Sequence, residues 1–246
     1  MKKNIIIHIP HASLKTPEFF INKLTIDNKH FNKENIFISD YMVDKLIHST
    51  IPNVIKFKYS RMFCDVERFL NDELESMSKF GMGVIYTKNS NQTNFITISS
   101  DYKNKIISNY YLPHHKKIDD ITTKLLNKYN KCYFIDLHSY SDEFVLKLFN
   151  KSDNPDICIG FDNNYYDKQF IDYSINYFKN NGYSVKTNYP YSGTLIPNVI
   201  LKNNDKRIKP IMIEINKRIY LDNNKIINKH KFNKLKNDIN NYLNNI

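Results

Sequence analysis

Phe134-Ile135-Asp136-Leu137-His138-Ser139-Tyr140-Ser141 is the stretch on which the reading of this chain turns. Cys132-Tyr133-Phe134-Ile135 gives four consecutive apolar or aromatic residues with β preference and no helical period, and so reads as a buried strand. A polar run placed directly after a buried strand falls at its carboxyl end, where open α/β sheets bind their ligands. His138 is then placed either to bind a metal or to cap the strand and hold a loop.

Moving outward, two more strands carry chemistry. Asn4-Ile5-Ile6-Ile7 is a short buried strand ended by His8-Ile9-Pro10-His11. Pro10 stops sheet pairing, so His8 is expected to pack with the strand and His11 to stand beyond it as the better ligand. Near the other end of the chain, Ile211-Met212-Ile213-Glu214-Ile215-Asn216 is a core strand with a glutamate inside it. A carboxylate in that setting needs a partner, and burial shifts it toward the range useful for proton transfer.

Between these strands the pattern alternates with helices. A helix is expected over 35–49, with Asp40 either as a first-turn acid or as an oxygen ligand. Val54 to Tyr59 alternates like a strand. It leads into Ser60-Arg61-Met62-Phe63-Cys64-Asp65-Val66-Glu67-Arg68, where charged groups sit among apolar ones and must be paired or bind something charged. Phe80-Gly81-Met82-Gly83 lacks the third glycine of a dinucleotide fingerprint. Residues 88–100 read as a loop or lid. A helix over 101–111 is expected to be interrupted at Leu112-Pro113-His114-His115, followed by an amphipathic helix from Lys116 to Tyr129. Further segments are a strand or short helix at 144–149, a strand near 155–161 and a helix over 167–180 closed by Gly182. An aromatic turn at 189–194 and a terminal helix within 222–246 complete the reading. The alternation argues a mixed, largely parallel central sheet flanked by helices, in one domain spanning 1–246.

Composition bounds the alternatives. The chain has 246 residues, 41% hydrophobic and 14% aromatic, enough for a sizeable core. Its formal charge of +11 invites a nucleic-acid reading, but the lysines are spread among asparagines without a dense block, so nucleic acid is not the expected partner. Cys64, Cys132 and Cys158 are distant, odd in number and in apolar contexts, which argues buried thiols in a reducing compartment. The N-terminal apolar run is too short for a signal segment, and no stretch approaches a membrane span. A cytoplasmic protein is expected.

Collected at strand ends, His11, Asp40, His138 and the strand-borne Glu214 give two imidazoles, one carboxylate and a nearby acid. A catalytic zinc requires such a ligand set with one position open for water. The chain resembles the N-formylglutamate amidohydrolase family, itself similar in fold to zinc carboxypeptidases. The resemblance is carried, in order, by Ile9-Pro10-His11-Ala12-Ser13, Ser39-Asp40-Tyr41, Ser60-Arg61 through Asp65 and Arg68, and Gly81-Met82-Gly83-Val84. It continues through Leu112-Pro113-His114-His115, Asp136-Leu137-His138-Ser139, Pro190-Tyr191-Ser192-Gly193 and Ile213-Glu214-Ile215-Asn216-Lys217-Arg218-Ile219-Tyr220.

The resemblance implies a zinc carboxypeptidase-like fold and hydrolysis of a small acidic N-acyl amino acid such as N-formylglutamate. It implies zinc on His11, Asp40 and His138, Glu214 as general base, and Arg61 as a catalytic positive group. Arg68, His115, Tyr191, Ser192 and Arg218 are implied to contact substrate. The chain departs from the family at Glu67, where asparagine is usual, and at Lys217, where arginine is usual. The alternatives are a zinc peptidase or amidase acting on a peptide or cell-wall amide, and a basic, non-catalytic binding module.

Overall fold

A computed structural model describes residues 3–222 and 224–246. Six strands form one sheet in the order β2-β1-β3-β6-β4-β5: β1 Ile5–Ile9, β2 Val54–Lys56, β3 Cys132–Tyr140, β4 Ile157–Gly160, β5 Val185–Thr187 and β6 Ile208–Asn216. The helices in chain order are α1 Glu18–Ile21, α2 Asn28–Ile38, α3 Ser100–Ile106, α4 Leu112–Tyr129, α5 Asp142–Phe149, α6 Lys168–Asn180, α7 Asn198–Asn203 and α8 Lys229–Asn245. β1, β3 and β6 run parallel to one another, β4 runs antiparallel to β6, and β5 is parallel to β4. This is the mostly parallel α/β sheet with flanking helices that the alternating pattern implies.

The chain divides into two compact units. The first holds the sheet and comprises the N-terminal segment through Ile9, Met42–Ile55 and Asp119–Ile246. Its layers follow from strand alternation. Ile5, Ile7, Ile135, Leu137, Ile211, Ile213 and Ile215 are all buried and fall on one face by register. The opposite face carries His8, Asp136, His138 and Glu214 along the carboxyl halves of the same strands. Helix α6, Lys168–Asn180, packs against β4 and β5 and buries Phe170, Ile171 and Phe178. Gly182 follows it in the left-handed region at φ +86°, as a helix terminator requires. The terminal helix α8, Lys229–Asn245, is tied down by Asn240, which donates to the Leu46 carbonyl at 2.7 Å and accepts from His48 N–H at 2.9 Å.

The second unit, Pro10–Tyr41 and Lys56–Ile118, is built on an aromatic core. Phe20, Phe31, Phe63 and Phe95 are fully buried, with Phe20–Phe63 and Phe31–Phe95 packed edge to face at 5.4 and 5.9 Å. Residues 88–94 close a small hairpin through a Lys88–Asn94 bridge, anchored by Glu34 receiving both the N–H and hydroxyl of Ser90.

Four expectations need correction. β3 does not stop at Ile135: β6 pairs with it through Tyr140, so the polar motif lies on the strand and not after it. The expected helix over 35–49 is instead α2, Asn28–Ile38, started by the Asp27 side chain accepting from His30 N–H. The chain turns extended at Ser39 and left-handed at Met42, φ 68°, which leaves Asp40 in a loop. Val54 to Tyr59 keeps strand pairing only to Lys56. Finally, Pro113 does not break the helix. Helix α3, Ser100–Ile106, continues through a π turn at Ile107–Tyr111 into helix α4, Leu112–Tyr129. Proline lacks an N–H and crowds the carbonyl four residues back; the wider π turn accommodates both.

Candidate functional site

In the sheet-bearing unit, the polar face is centred on Asp136. Its Oδ1 accepts from Nδ1 of His8 at 2.9 Å and lies 3.1 Å from Nε2 of His138. Its Oδ2 accepts from Leu195 N–H at 3.1 Å. Burial alone would raise the Asp136 carboxyl; the charge and hydrogen bonds of His138 and His8 overcome it and hold it well below the usual carboxylate range. His8 therefore belongs to this network and does more than pack. On the next strand Glu214 is the register partner of both His138 and Cys158 and is buried. Burial, then the Glu214 charge, pushes the Cys158 thiol up to about 12, so this cysteine stays protonated and inert. Gly160 is required by space: a Cβ there would lie 2.3 Å from the Gly193 carbonyl.

The second unit is centred on a different aspartate, Asp65, fully buried. Its Oδ1 accepts from Nε2 of His11 at 2.8 Å and from Glu67 N–H at 3.1 Å. Its Oδ2 accepts from Nε and Nη2 of Arg61 at 3.1 and 2.9 Å and from the Tyr86 hydroxyl at 2.8 Å. Burial opposes the charge on Asp65, but His11, Arg61 and Arg68 keep its carboxyl well below the ordinary value. His11 is shifted down as well, but with the opposite consequence for charge: burial and then the Arg61 cation lower its pKa, favouring the neutral imidazole that binds metals. Its Nδ1 faces two carboxylates, Asp40 Oδ2 and Glu67 Oε2, each at 3.7 Å.

The remaining expected site residues have specific places. Arg61 directs its fork at Asp65, with Nη1 reaching the Ile38 carbonyl at 3.4 Å. Arg68 donates to the Met82 carbonyl at 3.2 Å and to Tyr86 Oη at 3.3 Å. His115 is buried on α4 with Nε2 donating to the Val66 carbonyl at 2.7 Å. Tyr191 packs edge-on to Tyr140 and Phe149, each at 5.8 Å, while Ser192 is exposed. Arg218, 42% exposed, bridges Asp142 at 2.8 Å and Asp156 at 3.0 Å. Sequence reasoning assigned no site role to Asp136, Tyr86 or Glu67. Asp136 was legible as the residue two before His138 on a strand; Tyr86 gave no local signal.

The donor chemistry fits a divalent cation such as zinc. Each candidate histidine has Nε2 set against a buried carboxylate, His11 against Asp65 and His138 against Asp136. That is the backing given to metal-binding imidazoles, where the carboxylate fixes the ring and the other nitrogen takes the metal.

The family model for N-formylglutamate amidohydrolase matches residues 3–221. Among solved structures, the chain is similar to an N-formylglutamate amidohydrolase from Ralstonia eutropha, at 18% identity and a TM-score of 0.82 over 96% of this chain and 90% of that one. It is also similar to a gene product from Agrobacterium tumefaciens, at 15% identity and a TM-score of 0.66 over 98% and 92%. At these identities the two structures share its fold. No curated protein matches the chain. No helix among the described residues is long and apolar enough to cross a membrane.

Proposed function

Since the chain belongs to the N-formylglutamate amidohydrolase family over nearly its whole length, we propose that it is a zinc-dependent amidohydrolase cleaving the amide of a small acidic N-acyl amino acid, N-formylglutamate first among them. The proposed ligands are His11, Asp40 and His138, with Glu214 as general base. The observation that carries the reading is the set around His11: Nε2 is fixed by Asp65 and Nδ1 faces the Asp40 carboxylate at 3.7 Å. Zinc held by such ligands supplies an acidified water and a Lewis acid for the amide carbonyl. Glu214 takes the water's proton at a carboxylate oxygen and returns it to the departing amine nitrogen.

The arginines divide by their partners. Arg61 and Arg68 both converge on Asp65, so their charge is partly committed to holding that carboxylate in place. Only the part of their charge that Asp65 leaves uncompensated can attract a substrate carboxylate. A substrate carboxylate would also meet the negative charge at Glu67, where the family usually has asparagine, so a related acyl amide is the second substrate to try.

The test is metal content with turnover. Purified protein is expected to hold about one zinc per chain and to release formate from N-formylglutamate. Loss of zinc in His138→Ala with the fold intact would support the assignment. A well-folded wild-type protein that takes up no zinc would overturn it.

A further inference from the structure

Tyr111 and His115 stand four residues apart, at the end of the π turn and in the first turn of α4, with their rings stacked at 4.3 Å. Both reach back to one short segment. The Tyr111 hydroxyl donates to the Arg68 carbonyl at 2.8 Å, and His115 Nε2 donates to the Val66 carbonyl at 2.7 Å. These two carbonyls flank Glu67. The N–H of Glu67 is in turn taken by Asp65 Oδ1 at 3.1 Å. Backbone bonds thus hold Glu67 before, at and after its own position.

What this clamp delivers is the carboxylate. Glu67 Oε2 ends 3.7 Å from His11 Nδ1, the same distance as Asp40 Oδ2, and its side chain is only 14% exposed. Two donors bound to a four-coordinate zinc at roughly 2.0–2.1 Å stand about 3.4 Å apart. A side-chain adjustment of a few tenths of an ångström closes the difference for either carboxylate. The π turn matters here because it sets the phase of the helix: without its extra residue, Tyr111 and His115 would not lie over Val66 and Arg68 in their present stagger.

We propose that Glu67 is a further metal ligand, positioned by the Tyr111–His115 clamp on the carbonyls either side of it. The proposal rests on the zinc reading above and adds a second carboxylate to it. Position 67 is one of the two places where the sequence departs from the pattern of the family it resembles, so the extra ligand does not follow from that resemblance. Two carboxylates beside one imidazole make this part of the site harder, in the sense of favouring oxygen-preferring cations, than a single carboxylate would.

The experiment is a zinc titration of metal-free protein against a chromophoric chelator, for wild type, Glu67→Gln and Tyr111→Phe, with circular dichroism as the folding control. Glu67→Gln is expected to weaken zinc binding at least tenfold with the spectrum unchanged. Tyr111→Phe keeps the carboxylate but releases the Arg68 carbonyl, and is expected to weaken binding several-fold. Glu67→Gln binding zinc as tightly as wild type overturns the proposal, and Tyr111→Phe doing so overturns the clamp. If Glu67→Gln does not fold, Glu67→Asp tests the same point: its withdrawn carboxylate is expected to bind zinc more weakly, and wild-type affinity would overturn the proposal. Wild type that binds no zinc removes the metal reading as a whole, an outcome distinct from failure of Glu67 alone.

Discussion

His138 and Glu214 are register partners on the parallel pair β3 and β6, so an imidazole and a carboxylate leave the same face of the sheet on adjacent strands. Neither depends on a loop for its position. A side chain carried by a central strand is held as firmly as the core itself.

Glu214→Gln keeps the volume and the register but removes the proposed base. Turnover is expected to fall by about 10²–10⁴-fold, while zinc content and the circular dichroism spectrum stay as in wild type. Activity within a few-fold of wild type would show that the proton is handled elsewhere.

Asp65→Asn leaves the half-buried Arg61 and Arg68 without the buried carboxylate on which both converge. Removing one partner of a buried ionic network costs about 3–5 kcal/mol. Urea denaturation should report a loss of that size; a change under about 1 kcal/mol would mean the two arginines re-pair without it.

Asp156 gives a pH signature. Its burial raises the carboxyl, but bonds from Ser184 and Arg218 more than offset this and lower it below the ordinary value. A depressed folded-state pKa contributes stability above the unfolded value, and that contribution disappears as pH falls through the folded one. Asp156→Asn should therefore cost about 1 kcal/mol at pH 7 and progressively less below about pH 4. Parallel urea curves at the two ends of that range measure it. An equal difference at both would refute the linkage.

Gly160→Ala places a methyl against the Gly193 carbonyl. The Met212 side chain can turn aside, but the Gly193 carbonyl is backbone, so relief requires the 188–195 segment to move, at about 1–3 kcal/mol. That segment also donates Leu195 N–H to Asp136, so thermal unfolding and zinc affinity should both decline. A variant as stable as wild type would show that the segment is free to shift.

Much of the fold is legible in the sequence, and what is not legible shares a cause. The three buried strands, α6 with its glycine terminator, and the buried cysteines follow from local composition and period. What local pattern cannot carry is the partner. β3 runs on through His138 because β6 pairs with it residue by residue, and nothing within Asp136-Leu137-His138-Ser139-Tyr140 announces that. Pro113 looked like a break because proline usually is one; a π turn hides in the backbone and leaves no composition behind. Glu67 drew notice only as a departure, since its proximity to His11 comes from a segment more than fifty positions away along the chain.

The two-residue beat of β3 and β6 also governs how such a chain can change over generations. His138 and Glu214 sit on alternate positions with Leu137 and Ile213, so one face holds the polar side chains and the other the core. Losing or gaining a single codon within either strand would turn the imidazole or the carboxylate into the oily layer and expose leucine or isoleucine in its place. Lineages descending from this sequence can therefore drift by substitution along these strands, but they can alter strand length only at the ends.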